Sequence, residues 1–218
     1  MEPDEATPTM TSPGSTKKST AAGVPVILRD GSRVRIRQWR PSDRELLVSG
    51  FYRLSPTSSY RRFLSASPVL TGEMVHVLTD VDHRDHEAMI ALDRHGREGL
   101  GIAHYVRSLE RPGVAELALT VIDDWQGRGL GTLLLDVISA RARQEGIKTF
   151  TALMLAENRR MRDLLDRLGP VRVIDEERGT VDVEVAIPDV GVAPELREML
   201  RISARHHAGS SVAGGSGS

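Results

Sequence analysis

Val121-Ile122-Asp123-Asp124-Trp125-Gln126-Gly127-Arg128-Gly129-Leu130-Gly131-Thr132 joins two segments of opposite periodicity. Ahead of it, Val114 to Ile122 is aliphatic and β-branched and reads as a strand. After Trp125, Leu130, Leu133, Leu134, Val137 and Ile138 recur at i, i+3, i+4, i+7 and i+8. That spacing puts one apolar stripe on a helix ending near Gly146. The segment is therefore a strand running into a glycine-rich turn that opens an amphipathic helix. Its three glycines let the backbone come close to a ligand and adopt positive φ. Free N–H groups at the helix start, with the helix dipole, suit a phosphate or pyrophosphate. A Walker loop needs a terminal Gly-Lys-Ser/Thr, and no Lys stands here. A Rossmann fingerprint needs G-x-G-x-x-G, whereas these glycines sit at 127, 129 and 131. Its acidic ribose partner about 20 residues on is also missing, since Gly146 and Lys148 occupy that region.

Working outward, Val24–Leu28 and Val34–Ile36 flank Asp30-Gly31, a hairpin signal. Pro41-Ser42-Asp43 opens a helix to about Leu54, with Ser42 or Asp43 as cap. Ser55-Pro56 starts another helical stretch, and Thr71-Gly72-Glu73 precedes the apolar set Met74, Val77 and Leu78. Glu87–Leu92 and Leu100–Ser108 form an antiparallel pair around a turn over 93–99. Beyond the long helix come a strand Phe150–Leu155, a helix Asn158–Leu168 stopped by Gly169-Pro170, and a closing strand Val181–Ile187. Neighbouring strands first, then alternating strand and helix, imply an α+β or mixed α/β domain with helices on one sheet.

The chain has 218 residues, with Lys plus Arg against Asp plus Glu giving 29 − 30 = −1. It is long enough for one well-filled core. Near-neutrality provides no general field for nucleic acid or an anionic membrane. No apolar run approaches the roughly 18 residues of a spanning helix. The acidic start, Met1-Glu2-Pro3-Asp4-Glu5, does not read as a signal peptide, so the expectation is cytoplasmic. Zero Cys excludes a disulfide framework, a thiolate nucleophile and Cys-based zinc. Residues 1–23 are Pro-, Ser-, Thr- and Gly-rich and are expected to be a disordered tail. The domain is then 24–190, followed over 191–218 by a short helix near 194–205 and a Gly/Ser tail.

Gln126-x-x-Gly129-x-Gly131 after a strand resembles the acetyl-CoA loop of the GNAT superfamily of N-acetyltransferases. The strand Glu116-Leu-Ala-Leu-Thr-Val121, the Leu-rich helix, the strand Thr149–Leu155 and Asn158-x-x-Met161-x-x-Leu164-Leu165-x-x-Leu168-Gly169 follow in the family's order. The resemblance spans about 33–187. In the front half Ile36-Arg37-Gln38-Trp39-Arg40-Pro41-Ser42-Asp43, Leu54-Ser55-Pro56, Tyr60-x-x-Phe63 and His86-Glu87-Ala88-Met89-Ile90-Ala91 resemble the catalytic domain of bacterial protein lysine acetyltransferases. The resemblance implies a single, mostly antiparallel sheet splayed at the cofactor site, with helices on both faces.

It also implies roles. Backbone N–H groups of Gln126, Gly127, Arg128, Gly129, Leu130 and Gly131, with the Thr132 hydroxyl, are expected on the CoA pyrophosphate. Backbone groups of Leu119 and Val121 are expected on the pantetheine arm, and Asn158 on that arm or as a helix N-cap. Glu116 is the candidate general base, because an amine nucleophile is protonated at neutral pH. It shares a strand face with Ala118 and Thr120, and a carboxylate in a mostly apolar central strand is costly without work or a partner. Glu87 is the second candidate. Leu165 stands where many members carry a Tyr that reprotonates the thiolate, so no general acid is assigned. His83-Arg-Asp-His86 reads as a polar loop in preference to a zinc site, and Arg159, Arg160 and Arg162 as a solvated face or a contact for the CoA 3′-phosphate. The implied reaction moves acetyl from acetyl-CoA to a primary amine without a metal. A protein lysine is the preferred acceptor, with an AMP-forming acyl-CoA synthetase as partner. The rivals are a small amine, a protein N-terminus, or a non-catalytic acyl-CoA sensor.

Overall fold

The computed structural model describes residues 23–65 and 68–189. The expectations for 1–22 and 190–218, including the helix near 194–205, lie outside the described residues. Eight strands form one sheet: β1 (Val24–Ile27), β2 (Arg33–Gln38), β3 (His86–Asp93), β4 (Gly99–Arg107), β5 (Val114–Val121), β6 (Thr149–Leu155), β7 (Arg172–Glu177) and β8 (Thr180–Ala186). Their order is β1-β2-β3-β4-β5-β6-β8-β7. Every pairing is antiparallel except β5 with β6. The sheet is mostly antiparallel and the class is mixed α/β.

The helices are α1 (Arg44–Tyr52), α2 (Pro56–Phe63), α3 (Gly72–Thr79), α4 (Leu130–Gln144) and α5 (Arg159–Leu165). The apolar stripe of α4 packs on one face of the sheet, with Leu130, Leu134, Val137 and Ile138 against Ala115, Leu117 and Phe150. Leu165 of α5 joins that core. On the other face Leu46 and Leu47 of α1 close over Trp39, Ala88, Ile90 and Leu92. Side chains alternate along each strand, so the two cores use alternate residues of β3.

Helix α5 ends at Leu165 and not at Leu168, and two larger features differ from expectation. A 3₁₀ turn occupies Pro41–Asp43, and α1 begins only at Arg44. The Asp43 carboxylate caps nothing in α1. It takes Arg37 through both oxygens, at 2.5 and 2.7 Å, and the Arg40 N–H at 2.9 Å. Strand β7 was not anticipated at all. All six of its residues are exposed, so it carries no inward apolar set to betray it. At the far end of the sheet, β1 contains Pro25.

Glu87 points into the α4 core, and its side chain is fully buried. It accepts from Arg141 Nε at 3.0 Å, Gln38 Nε2 at 2.9 Å and its neighbour's N–H, and pairs with His83 Nδ1 at 2.8 Å. Burial pushes this carboxyl up, but the His83 bond and charge, Arg141 and Gln38 together bring it below its ordinary value. The Arg141 guanidinium is raised by the same partnership against its own burial. A carboxylate held low stabilises the fold above its ordinary pKa, and that stabilisation is lost as pH falls through the lowered value. Arg141→Leu leaves Glu87 charged, buried and short of its cation. Urea unfolding at pH 7 should show a loss of about 3–5 kcal/mol, with a smaller loss at pH 4, where Glu87 of the variant takes up a proton.

Candidate active site

Strands β5 and β6 pair over only three rungs, Val114↔Thr149, Ala115↔Phe150 and Glu116↔Thr151. Beyond Glu116 they diverge, each remaining paired on its outer side to β4 or β8. The N–H of Ile122 donates to Leu100 O on β4. Backbone groups alternate along a strand, so those of Leu117, Leu119 and Val121 face the opening. This places Leu119 and Val121 on the wall of a cleft with backbone groups directed into it. One of those groups is already occupied, since Val121 O accepts from Gln126 Nε2 at 3.0 Å.

At the wide end of the cleft lies the glycine turn. Gly127 (φ +78°) and Gly129 (φ +92°) are left-handed, a conformation that favours glycine. Gly131 is helical, and a side-chain carbon there would meet its neighbours no closer than 3.7 Å. Of the three glycines, Gly127 and Gly129 adopt the expected positive φ and Gly131 does not. Leu133 N–H to Gly129 O, 3.0 Å, is the first bond of α4. The N–H groups of Leu130, Gly131 and Thr132 therefore precede any intrahelical acceptor. The N–H of Gln126 is spent on Asp123 O, so the donors begin at Gly127.

A polar network invisible in the linear pattern fixes this turn. Asp123 accepts from the Ser55 N–H at 2.9 Å, Ser55 Oγ at 2.7 Å and Ser58 Oγ at 2.8 Å. These bonds hold its carboxyl below the ordinary value against the upward push of burial. The Gln126 amide donates to Ser58 Oγ, 3.1 Å, and accepts from Arg160, 2.5 Å. Start of α2, glycine turn and start of α5 are thereby one unit. Arg128 stacks on Trp125 at 4.9 Å. Arg160 is engaged with the turn, while Arg159 and Arg162 are solvated. Asn158 caps α5 by accepting from the Met161 N–H at 3.3 Å.

Glu116 sits on the last paired rung of β5 and β6, on the face of α1 and α2. Its side chain is exposed, because the strands part beside it. Its apolar sequence neighbours therefore do not enclose it. Its position, at the apex of the cleft, marks it instead. Glu87 is on the opposite face, enclosed by Arg141, His83 and Gln38, and cannot reach the cleft. His83 and His86 face different partners, Glu87 and Asp80 O, and among the described residues no group of three or more His, Cys, Asp or Glu is arranged for a metal. Leu165 is buried in the α4 core and supplies no proton donor. No helix among the described residues is long and apolar enough to cross a membrane.

The comparisons with known proteins agree with this geometry. The family described as Acetyltransferase (GNAT) domain matches residues 33–171. The chain belongs to the GNAT acetyltransferase family. It is 34% identical over 185 residues to Acetyltransferase Pat of Mycolicibacterium smegmatis, covering 84% of this chain and 55% of that protein. This chain thus spans about half the length of that mycobacterial relative. It is 36% identical over 156 residues to Acetyltransferase PA5475 of Pseudomonas aeruginosa, covering 70% of this chain and 83% of the other. Among solved structures, the GNAT domain of S. lividans PAT superposes with a TM-score of 0.69 at 31% identity, covering 78% of this chain and 99% of that one. Salmonella typhimurium yncA, solved with acetyl-CoA, shares the fold, with a TM-score of 0.57 at 17% identity over 74% of this chain and 98% of that one.

The turn permits a direct test. At Gly129 a side-chain carbon would meet only Arg29, at 3.9 Å, so the positive φ and not space limits substitution. Gly129→Glu should keep the fold by circular dichroism, lose about 1–2 kcal/mol of stability, and place a carboxylate among the free N–H donors. Calorimetry should find acetyl-CoA binding to the parent and a large loss in the variant. Equal affinities would reject the turn as the cofactor site.

Proposed function

We propose that this chain transfers acetyl from acetyl-CoA to a primary amine, preferably the ε-amine of a protein lysine, by direct attack. The observation that carries the reading is the cleft between β5 and β6, with free N–H donors at its wide end and the exposed Glu116 at its apex. The N–H groups of Gly127 to Gly131, with the Thr132 hydroxyl, suit the two charges of a pyrophosphate. Backbone groups of Leu119 and Val121 suit the amides of an extended pantetheine arm, much as a third strand would, and Asn158 closes the other side from the start of α5. The thioester then lies towards the closed end, near Glu116.

The acceptor enters as an ammonium ion. One proton passes to Glu116 or to a water held by it, and the freed lone pair attacks the thioester carbon. The C–N bond forms, the C–S bond breaks, CoA leaves as thiolate, and the nitrogen loses its second proton. Thiolates are tolerable leaving groups near neutral pH, so solvent can supply the last proton in place of the side chain absent at Leu165. A free lysine has a pKa near 10.4, leaving only about one molecule in 10³ unprotonated at neutral pH. That deficit makes a positioned carboxylate more useful for lysine than for an α-amine.

Glu116→Gln should therefore lower kcat by roughly 10²–10⁴ with little change in acetyl-CoA affinity. A near-parental kcat would remove Glu116 from the mechanism. For the acceptor, an AMP-forming acyl-CoA synthetase is the first protein to offer, with acetyl-lysine mapped by mass spectrometry and synthetase activity followed in parallel. Acetylation with loss of activity is expected. Fast turnover on small amines alone would redirect the acceptor assignment, and binding without turnover on any amine would favour an acyl-CoA sensor.

A further inference from the structure

Arg62 is the observation that the mechanism leaves unused. It lies on α2 and points into an apolar cleft walled by Leu47, Phe51, Leu54, Ile90 and Ile102, in which it is the one charged side chain among the described residues. No carboxylate among the described residues forms an ion pair with it. Its hydrogen bond goes to a ring nitrogen, His104 Nε2, at 2.9 Å, and its guanidinium stacks on Phe63 at 5.2 Å. Burial pushes the guanidinium below its ordinary value, and the charge of Glu116 pulls it back.

The bond to His104 has a definite polarity. A guanidinium only donates, so Nε2 accepts and the ring proton sits on Nδ1. Burial first, then Arg62 and His86, hold this imidazole well below its usual pKa, in the neutral form that the bond requires. Its Nδ1 is buried and makes no hydrogen bond among the described residues. His104 is a cross-strand neighbour of Ala118, one rung along the same face from Glu116, which lies opposite Val106. Arg62 is thus fastened to β4, on the sheet face and beside the strand that carry Glu116.

We propose that Arg62 is a positioning residue of the transfer site: held by His104, its fixed cation stands beside Glu116 so that the incoming amine cannot rest there as a tightly paired ammonium. The inference rests on the amine-acetylating reading given above. A carboxylate alone would attract the protonated lysine and raise the pKa of its amine, retaining the proton that must leave. A cation nearby has the opposite effect and favours the neutral nucleophile, as for lysines activated by a neighbouring cation. The proton lost from the ammonium goes to Glu116 and from there to solvent. The charged and titratable groups around Arg62 are Glu116 of β5, His104 of β4 and, behind it at 5.8 Å between rings, His86 of β3. On α2 itself the neighbour is Arg61, and β6 presents Thr149 and Thr151 towards this face.

The test is the pH profile of kcat on an acceptor lysine peptide, with acetyl-CoA saturating. Arg62→Met should lower kcat at pH 7 by about tenfold and move the rising limb up by about one unit, while KM for the peptide stays level or falls. Arg62→Lys, which keeps the charge but not the planar fork, should leave the limb near its parental position. Replacing the acceptor lysine by the less basic S-aminoethylcysteine should restore most of the loss in Arg62→Met. Calorimetry with acetyl-CoA verifies that each variant retains the folded cofactor site, and Arg62→Gln carries the same comparison if Arg62→Met does not fold. A limb that stays in place, with kcat scaled down at every pH, a rise in KM as the main effect, or no rescue by the analogue would overturn the proposal. Those outcomes leave acetyl-lysine formation by the parent chain intact, whereas its absence in the parent would count against the underlying reading instead.

Discussion

Three rungs of parallel pairing, followed by separation, set the character of this molecule. Once β5 leaves β6 after Glu116, one edge of each strand is unpaired inside an otherwise continuous sheet. Unpaired backbone groups facing away from solvent are costly unless something bonds to them. One is covered from within, Val121 O by the Gln126 amide; the others face an open slot. The divergence also exposes Glu116, which on a continuous sheet would be flanked by β6 along its length. The open slot and the exposed candidate base are two results of one interruption.

The interruption persists because both banks are anchored independently. On one side, β4 pairs with β5 over seven rungs and α4 lies on both. On the other, β8 pairs with β6 over seven rungs. The turn between the banks is tied to α2 through Asp123, Ser55 and Ser58, and to α5 through Gln126 and Arg160. Donors directed at an anion must be held before it arrives, since ordering them afterwards costs conformational entropy. The network supplies that rigidity.

Much of this was legible in the chain, for identifiable reasons. Leu130, Leu133, Leu134, Val137 and Ile138 announce α4 because packing on the sheet demands that period. Val114 to Val121 announces β5 because it is covered on the α4 face. Strand β7 escaped detection for the converse reason, since nothing in it is buried. Asp43 looked like a helix cap because its type suits one, and a long-range partner, Arg37, claimed it instead. The two glutamates show the limit most sharply. Both stand in strands of apolar residues, yet Glu87 is sealed with Arg141 and Glu116 is open to solvent. Composition cannot distinguish these states, because the difference lies in which strand each neighbour follows. Ser55 and Ser58 are each separated from Asp123 by more than sixty residues, and no local pattern relates them to it.

The outer strands carry a further consequence. A free strand edge invites another chain to continue the ladder, the step from which ordered aggregates grow. Among the described residues β1 is an outermost strand, and it contains Pro25, which has no N–H to give. Among the described residues the opposite margin is β7, where the exposed Val173 and Ile174 are flanked by the exposed charges of Arg172, Asp175, Glu176 and Glu177. An added strand would have to bring its own backbone alongside that charge and bury part of it. The same solvated character that hid β7 from periodicity guards the sheet against polymerising through its margin.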